Sequence, residues 1–307
     1  MGRRRLPGRP GRDILSRAVI AYFNGRFVER EAVRVSPDDR GFLFADGVYE
    51  VVRVYGGRPF ALPEHGRRLG RSLSALRLDW PDAPRLEAIV TRLIADNGLA
   101  SRDALVYLQI TRGAAPRRHA FPEPATPPTA YVAVTPWRAR EDLARGVSAV
   151  LVPDVRWARC DIKSIALLPN VLANQRAHEA GAEEAVFVRD GVVTEGTHTN
   201  VCVVRDGTLV THPLTNHVLP GITRAEVLAL CRAAGLPCLE APVVADDLER
   251  VDEVLLVGTT VEVTAVTRLD GRLLGDGRPG PVARRLAAAF NAHVAARCRG
   301  AAGADGV

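Results

Sequence analysis

Three dipeptides, Asn24-Gly25, Asp190-Gly191 and Asp206-Gly207, each stand between two short runs of branched and aromatic residues. Asn-Gly and Asp-Gly readily adopt the left-handed backbone of a two-residue hairpin turn, so each flanking pair of runs is predicted to fold back as two antiparallel strands. Hairpins in both halves of the chain argue against a helical bundle and against a purely parallel sheet.

The rest of the pattern fills in around them. In the first half, strands are expected over residues 19–22, 26–28, 33–35, 48–55, 105–111 and 130–135, with a turn at Asp38-Asp39-Arg40-Gly41. A helix over residues 63–78 carries Leu69, Leu73 and Leu76 at helical spacing, and a second covers residues 84–96. In the second half, strands are expected over 147–152, 184–188, 192–194, 201–204, 209–211, 253–257 and 261–269, and helices over 168–180, 222–234 and 281–297. The fold class is α/β in the mixed α+β sense. Residues 18–135 read as an N-terminal domain, 136–142 as a linker and 143–297 as a C-terminal domain, with a tail over 298–307.

The chain carries a net charge of +6, but residues 1–17 alone hold six arginines against Asp13. The body is therefore close to neutral and offers no general electrostatic footprint for nucleic acid. The basic arm is rich in Gly and Pro, cannot bury a core and is expected to be disordered; it lacks the apolar segment of a secretory signal. No apolar run approaches the roughly 20 residues of a membrane span. Five cysteines without a CxxC spacing fit reduced thiols in a cytoplasm rather than a disulfide framework or a zinc site.

Among 41 basic residues there is one lysine, Lys163. Arginine serves surface charge and anion binding as well or better. Only lysine loses its proton near neutral pH and attacks a carbonyl carbon. Lys163 is thus either a leftover surface ammonium or a Schiff-base former, and three further stretches bear on the choice. In Val193-Thr194-Glu195-Gly196-Thr197-His198-Thr199-Asn200 a carboxylate ends a strand, as a pyridine-ring cofactor needs beside its ring nitrogen; taken singly, Glu195 reads more readily as a turn carboxylate. Leu219-Pro220-Gly221-Ile222-Thr223 opens a helix whose free N–H groups make a phosphate seat, or simply an ordinary helix start. Gly258-Thr259-Thr260 puts small hydroxyl residues at a strand end.

Together and in this order, the four stretches resemble the fold-type IV pyridoxal-phosphate enzymes, which include D-amino-acid and branched-chain aminotransferases and aminodeoxychorismate lyase. The resemblance is greatest to the D-amino-acid aminotransferases and spans roughly residues 19–290. Asp39-Arg40-Gly41, Asp46 to Val52, Glu64-His65, Arg68-Leu69, Thr111-Arg112-Gly113, Arg159 to Ser164, Thr194-Glu195-Gly196 and Gly221 to Arg224 carry it.

The resemblance implies two domains with pyridoxal 5′-phosphate between them. Lys163 would hold the cofactor as a Schiff base and shuttle the substrate proton, and Glu195 would pair with the ring nitrogen. Arg68, Ile222, Thr223 and Thr259 would bind the phosphate, and Leu219 would pack beside the ring. Arg117 and His119, in the basic loop 112–122, match a pair that reaches across a homodimer and holds the substrate carboxylate with Tyr49 of the other subunit; by composition alone the loop is a solvated basic segment. The implied substrates are small: a D-amino acid of the D-alanine type and a 2-oxo acid of the 2-oxoglutarate type. The alternatives in the family are L-branched-chain transamination and the lyase reaction. Two positions depart from the pattern: His198 replaces a small residue, and Gly258 removes a hydroxyl near the cofactor.

Overall fold

The computed structural model describes residues 18–298 apart from Ala139. The arm over 1–17 and the tail beyond Cys298 lie outside the described residues, and Cys298 itself is the last residue of a helix rather than of a tail.

The first sheet is built from residues 20–136. Its strands are β1 (Ile20–Phe23), β2 (Arg26–Glu29), β3 (Gly47–Tyr55), β4 (Arg58–Pro59), β5 (Ala104–Thr111) and β6 (Thr129–Pro136), in the order β2-β1-β6-β5-β3-β4 with every pairing antiparallel. The β1–β2 turn has Asn24 and Gly25 at φ +48° and +85°, the left-handed pair expected of this dipeptide. Residues alternate along β3. Val48, Val52 and Val54 enter a core with Leu69 and Leu73 of α2 (Leu62–Ala75) and Ile89 and Leu93 of α3 (Leu86–Asp96). Tyr49, Arg53 and Tyr55 take the opposite face.

Two local expectations fail. Residues 33–35 form no strand: the Arg34 guanidinium donates to the carbonyls of Glu31 and Val33 and turns the chain, and Val35 stays exposed. The turn at residues 38–41 runs into a short helix, α1 (Arg40–Phe44), because the Asp39 carboxylate accepts from the Gly41 N–H at 2.8 Å and caps it.

The second sheet spans β7 (Val147–Pro153), β8 (Glu184–Arg189), β9 (Val192–Gly196), β10 (Asn200–Arg205), β11 (Thr208–Thr211), β12 (Cys238–Glu240), β13 (Val243–Val244), β14 (Glu253–Gly258), β15 (Glu262–Leu269) and β16 (Arg272–Leu273). The path β10-β14-β15-β7-β8-β9 returns on itself, because Glu195 of β9 pairs with Asn200 of β10. The sheet thereby closes into a small barrel. Val186, Val201, Val203, Val254 and Leu256 fill its interior, while Leu255 and Val257 face out under α5 (Ile222–Ala233) and α6 (Pro281–Cys298). The parallel β7–β8 pair is joined by a crossover containing α4 (Leu168–Glu179), and Lys163 lies in the loop that leads into it. Among the described residues no helix is long and apolar enough to cross a membrane.

Candidate active site

The loop bearing Lys163 is fixed to the first sheet. The N–H of Tyr49 donates to the Lys163 carbonyl at 3.0 Å, and the N–H of Ile165 donates to the Gly47 carbonyl at 3.1 Å. The Lys163 N–H donates to the Ser72 hydroxyl of α2 at 3.1 Å. Gly47 permits this approach, since a Cβ there would stand 2.5 Å from the Ile110 carbonyl oxygen and 3.0 Å from Ile165. The Lys163 Nζ lies 4.2 Å from the centroid of the Tyr49 ring.

Across from it the barrel seam supplies a carboxylate. Glu195 is 5% exposed. Its Oε1 accepts from Arg156 Nη1 at 2.5 Å, and its Oε2 accepts from the Leu219 N–H at 2.9 Å and the Asn200 amide at 3.2 Å. Burial pushes the Glu195 pKa above the ordinary carboxylate range, against the pull of the Arg156 guanidinium. The turn after it is held from below by Glu184, itself buried, which accepts from the Thr197 N–H and from the Thr197 and Thr199 hydroxyls.

The third wall is the start of α5. Gly221 is its N-cap and provides no side-chain acceptor, so the first N–H groups are not capped by their own chain. A Cβ on Gly221 would stand 1.9 Å from the Asn200 Oδ1, so only glycine brings the helix this close to the seam. Arg68 completes the wall from α2. Its Nε and Nη2 fork onto Glu50 at 2.7 and 2.8 Å, and its Nη1 donates to the Pro220 carbonyl at 3.2 Å. This fork, with His65 Nδ1 at 2.8 Å, holds the Glu50 carboxyl down at about 2 in spite of its burial.

These groups line one open cavity with about 760 Å³ of empty space: Tyr49, Arg68, Lys163, Glu195, Leu219, Ile222, Thr223 and Thr259 all face it, with His198 and Gly258 beside them. An amine, a buried acid and an uncapped helix N-terminus around a cavity of this size are a donor set for an aromatic aldehyde carrying a phosphate.

Comparison with known proteins gives the same direction. Residues 47–269 match the model of amino-transferase class IV. The chain is 43% identical to the D-alanine aminotransferase of Bacillus licheniformis over 87% of its own length and 94% of that protein's. To the Staphylococcus haemolyticus D-alanine aminotransferase it is 39% identical, covering 90% and 98%. The chain belongs to the class IV aminotransferase family. Solved structures like this class IV aminotransferase include a T.th. branched-chain amino acid aminotransferase with pyridoxamine 5′-phosphate, at a TM-score of 0.84 and 30% identity over 92% of this chain and 95% of that one. The Escherichia coli branched-chain enzyme superposes with a TM-score of 0.83 at 27% identity, covering 90% and 94%.

Two of the residues singled out in this class IV aminotransferase do not reach the cavity of their own chain. Arg117 and His119 are exposed. Arg117 lies over the Phe44 ring at 5.2 Å, His119 packs against the same ring, and the His119 carbonyl accepts from Arg40 Nη2 at 3.2 Å. The loop is thus anchored on α1, away from Lys163.

Arg156 was not foreseen from the sequence. It forks onto Asp154 at 2.9 Å twice and extends only Nη1 to Glu195. The one signal was local: Asp154-Val155-Arg156 places an acid and a base on the same side of an extended chain, just before the loop that bears Lys163.

Proposed function

We propose that this protein is a pyridoxal-phosphate-dependent transaminase that moves the amino group of a D-amino acid of the D-alanine type to a 2-oxo acid of the 2-oxoglutarate type. The observation that carries the reading is the meeting of Lys163, Glu195 and the α5 N-terminus on one cavity, in a chain 38–43% identical to D-alanine aminotransferases over most of its length.

When bound, pyridoxal phosphate supplies an electron sink for the substrate α-carbon. The chain supplies the rest. Lys163 would hold the cofactor and, once its Nζ is released by the incoming amine, would carry the α-proton, since it already stands within reach. Glu195 would hold a proton at the ring nitrogen, a task that suits a carboxyl whose pKa is raised by burial. The Ile222 and Thr223 N–H groups and the Thr223 and Thr259 hydroxyls would bind the phosphate, and Leu219 would pack against the ring. Arg68, oriented by Glu50, would bind the same phosphate.

The substrate carboxylate would be held by Tyr49 together with Arg117 and His119 of the partner subunit in a homodimer. The exposed, anchored position of this loop supports that arrangement, because a rigid pair of donors is better placed to serve a neighbouring cavity than a mobile one. Fixing the carboxylate decides which face of the α-carbon meets Lys163, and so selects the D-enantiomer. His198 and Gly258 bear on the side chain accepted.

The second reading is a branched-chain L-aminotransferase; solved branched-chain amino acid aminotransferases share the fold at 27–30% identity, below the 38–43% of the D-alanine aminotransferases. Pyruvate release from D-alanine and from L-alanine, with 2-oxoglutarate as acceptor, separates the two. The D-enantiomer is expected to react and the L-enantiomer not. Turnover of L-leucine with no turnover of D-alanine would sink the first reading. In the purified protein a visible absorbance band is expected to bleach on addition of D-alanine, and Lys163→Arg is expected to abolish both band and turnover while keeping the charge.

A further inference from the structure

The main cavity shares the wall made by Ile222, Thr223 and Thr259 with a much smaller one that has room for about a single water, lined also by Arg53 and His65 and by the rings of Tyr55, Phe60 and Phe290. Ile222, Thr223 and Thr259 face both cavities.

Arg53 is 3% exposed, yet it is only partly partnered. Its Nη2 donates to Asp103 at 3.0 Å, and its guanidinium lies 5.0 Å and 4.9 Å from the ring centroids of Tyr55 and Trp137. Its Nε and Nη1 have no hydrogen-bond partner among the described residues. The ion pair to Asp103 uses one nitrogen, so it does not account for the other two. Buried donors on a cation are costly to leave unmatched, and the small cavity is where an acceptor can meet them.

Charge points the same way. A phosphate monoester brings close to two negative charges. The Arg68 charge is already cancelled by Glu50, and burial holds His65 towards its neutral form. The α5 N-terminus offers only about half a positive charge. Arg53, whose carboxylate partner is the one-third-exposed Asp103, is the remaining cation among the residues lining the small cavity.

We infer that Arg53 is a second cation of the phosphate seat, acting on the bound dianion through a single water in the small cavity. The inference rests on the transaminase reading above. Arg53 would be a positioning residue: it touches neither substrate nor the reacting atoms.

The test uses the full-length protein loaded with pyridoxamine 5′-phosphate, which binds without a covalent link. The ³¹P chemical shift of the bound phosphate and the dissociation constant from equilibrium dialysis are both read. Arg53→Met is expected to move the resonance and to weaken binding about tenfold, the scale of one charge-assisted hydrogen bond. Arg53→Gln carries the same expectation should the methionine variant fold poorly, and Arg53→Lys is expected to recover most of the affinity. Asp103→Asn breaks the same ion pair but keeps the guanidinium, and is expected to leave both readouts near wild type. An unchanged resonance and affinity in Arg53→Met or Arg53→Gln would overturn the inference, as would Asp103→Asn matching their effect. Absence of any bound ³¹P resonance in the wild-type protein would overturn the transaminase reading itself.

Discussion

Glu50 and Glu195 are both buried carboxylates gripped by an arginine, and they hold their protons in opposite ways. Arg68 gives its whole fork to Glu50, His65 adds a third bond, and the carboxyl is held down to about 2. Arg156 spends its fork on Asp154 and reaches Glu195 with one nitrogen, so burial prevails there and the pKa rises. The difference lies in how the guanidinium is shared, since both acids are hidden from water. A carboxylate forked by a cation is a fixed anion that orients its neighbours. One that takes a single bond from the cation and the rest from the neutral Leu219 N–H and Asn200 amide keeps more proton affinity.

Three substitutions probe that contrast. Glu195→Gln removes the acid and keeps the shape; kcat is expected to fall by roughly 10²–10⁴-fold, the usual weight of a positioned proton carrier, with little change in melting temperature. Equal losses of turnover and stability would place Glu195 in the same class as Glu50.

Glu50→Gln should act mainly on stability, costing about 3–5 kcal/mol because it leaves the Arg68 charge buried and unpaired. This cost depends on pH with a definite sign. The folded-state pKa of Glu50 lies near 2, below the ordinary 4.5, so its contribution is full above 4.5 and is lost as pH falls towards 2. The gap in melting temperature between wild type and Glu50→Gln is therefore expected to narrow over that window. A gap that stays constant from neutral pH to about pH 3 would contradict the assignment.

The smallest effect is expected from Asp154→Asn. It frees the Arg156 fork for Glu195, lowers the Glu195 pKa and makes this pair resemble the Glu50 pair; kcat should drop about tenfold. Turnover at the wild-type level with the variant well folded would show that the sharing of Arg156 is immaterial.

The hairpin turns and the two helices of the first half were legible because their causes are local. Asn24-Gly25 carries its turn in two residues, and Leu69 and Leu73 mark the buried face of α2 by spacing alone. Lys163 was legible through its rarity, and the α5 start through its glycine. What stayed hidden depends on residues far apart in the chain meeting. The closure of the barrel at Glu195 and Asn200 follows from the order of six strands, which no short window contains. The pairing of Arg156 with Glu195 follows from that closure. Residues 33–35 misled for the complementary reason: an apolar, branched run suits a strand, but an arginine folded back on the local carbonyls won.

Lys163 is encoded between strands of the barrel yet hung from the other sheet and its helix α2, by bonds from Tyr49 and to Ser72. Glu195 stays on the barrel. In the proposed reaction the amine and the acid would thus act from different bodies, and the distance across the gap is set by how the two bodies rest on one another. A fragment containing the barrel alone would keep the lysine in its sequence and lose the scaffold that aims it.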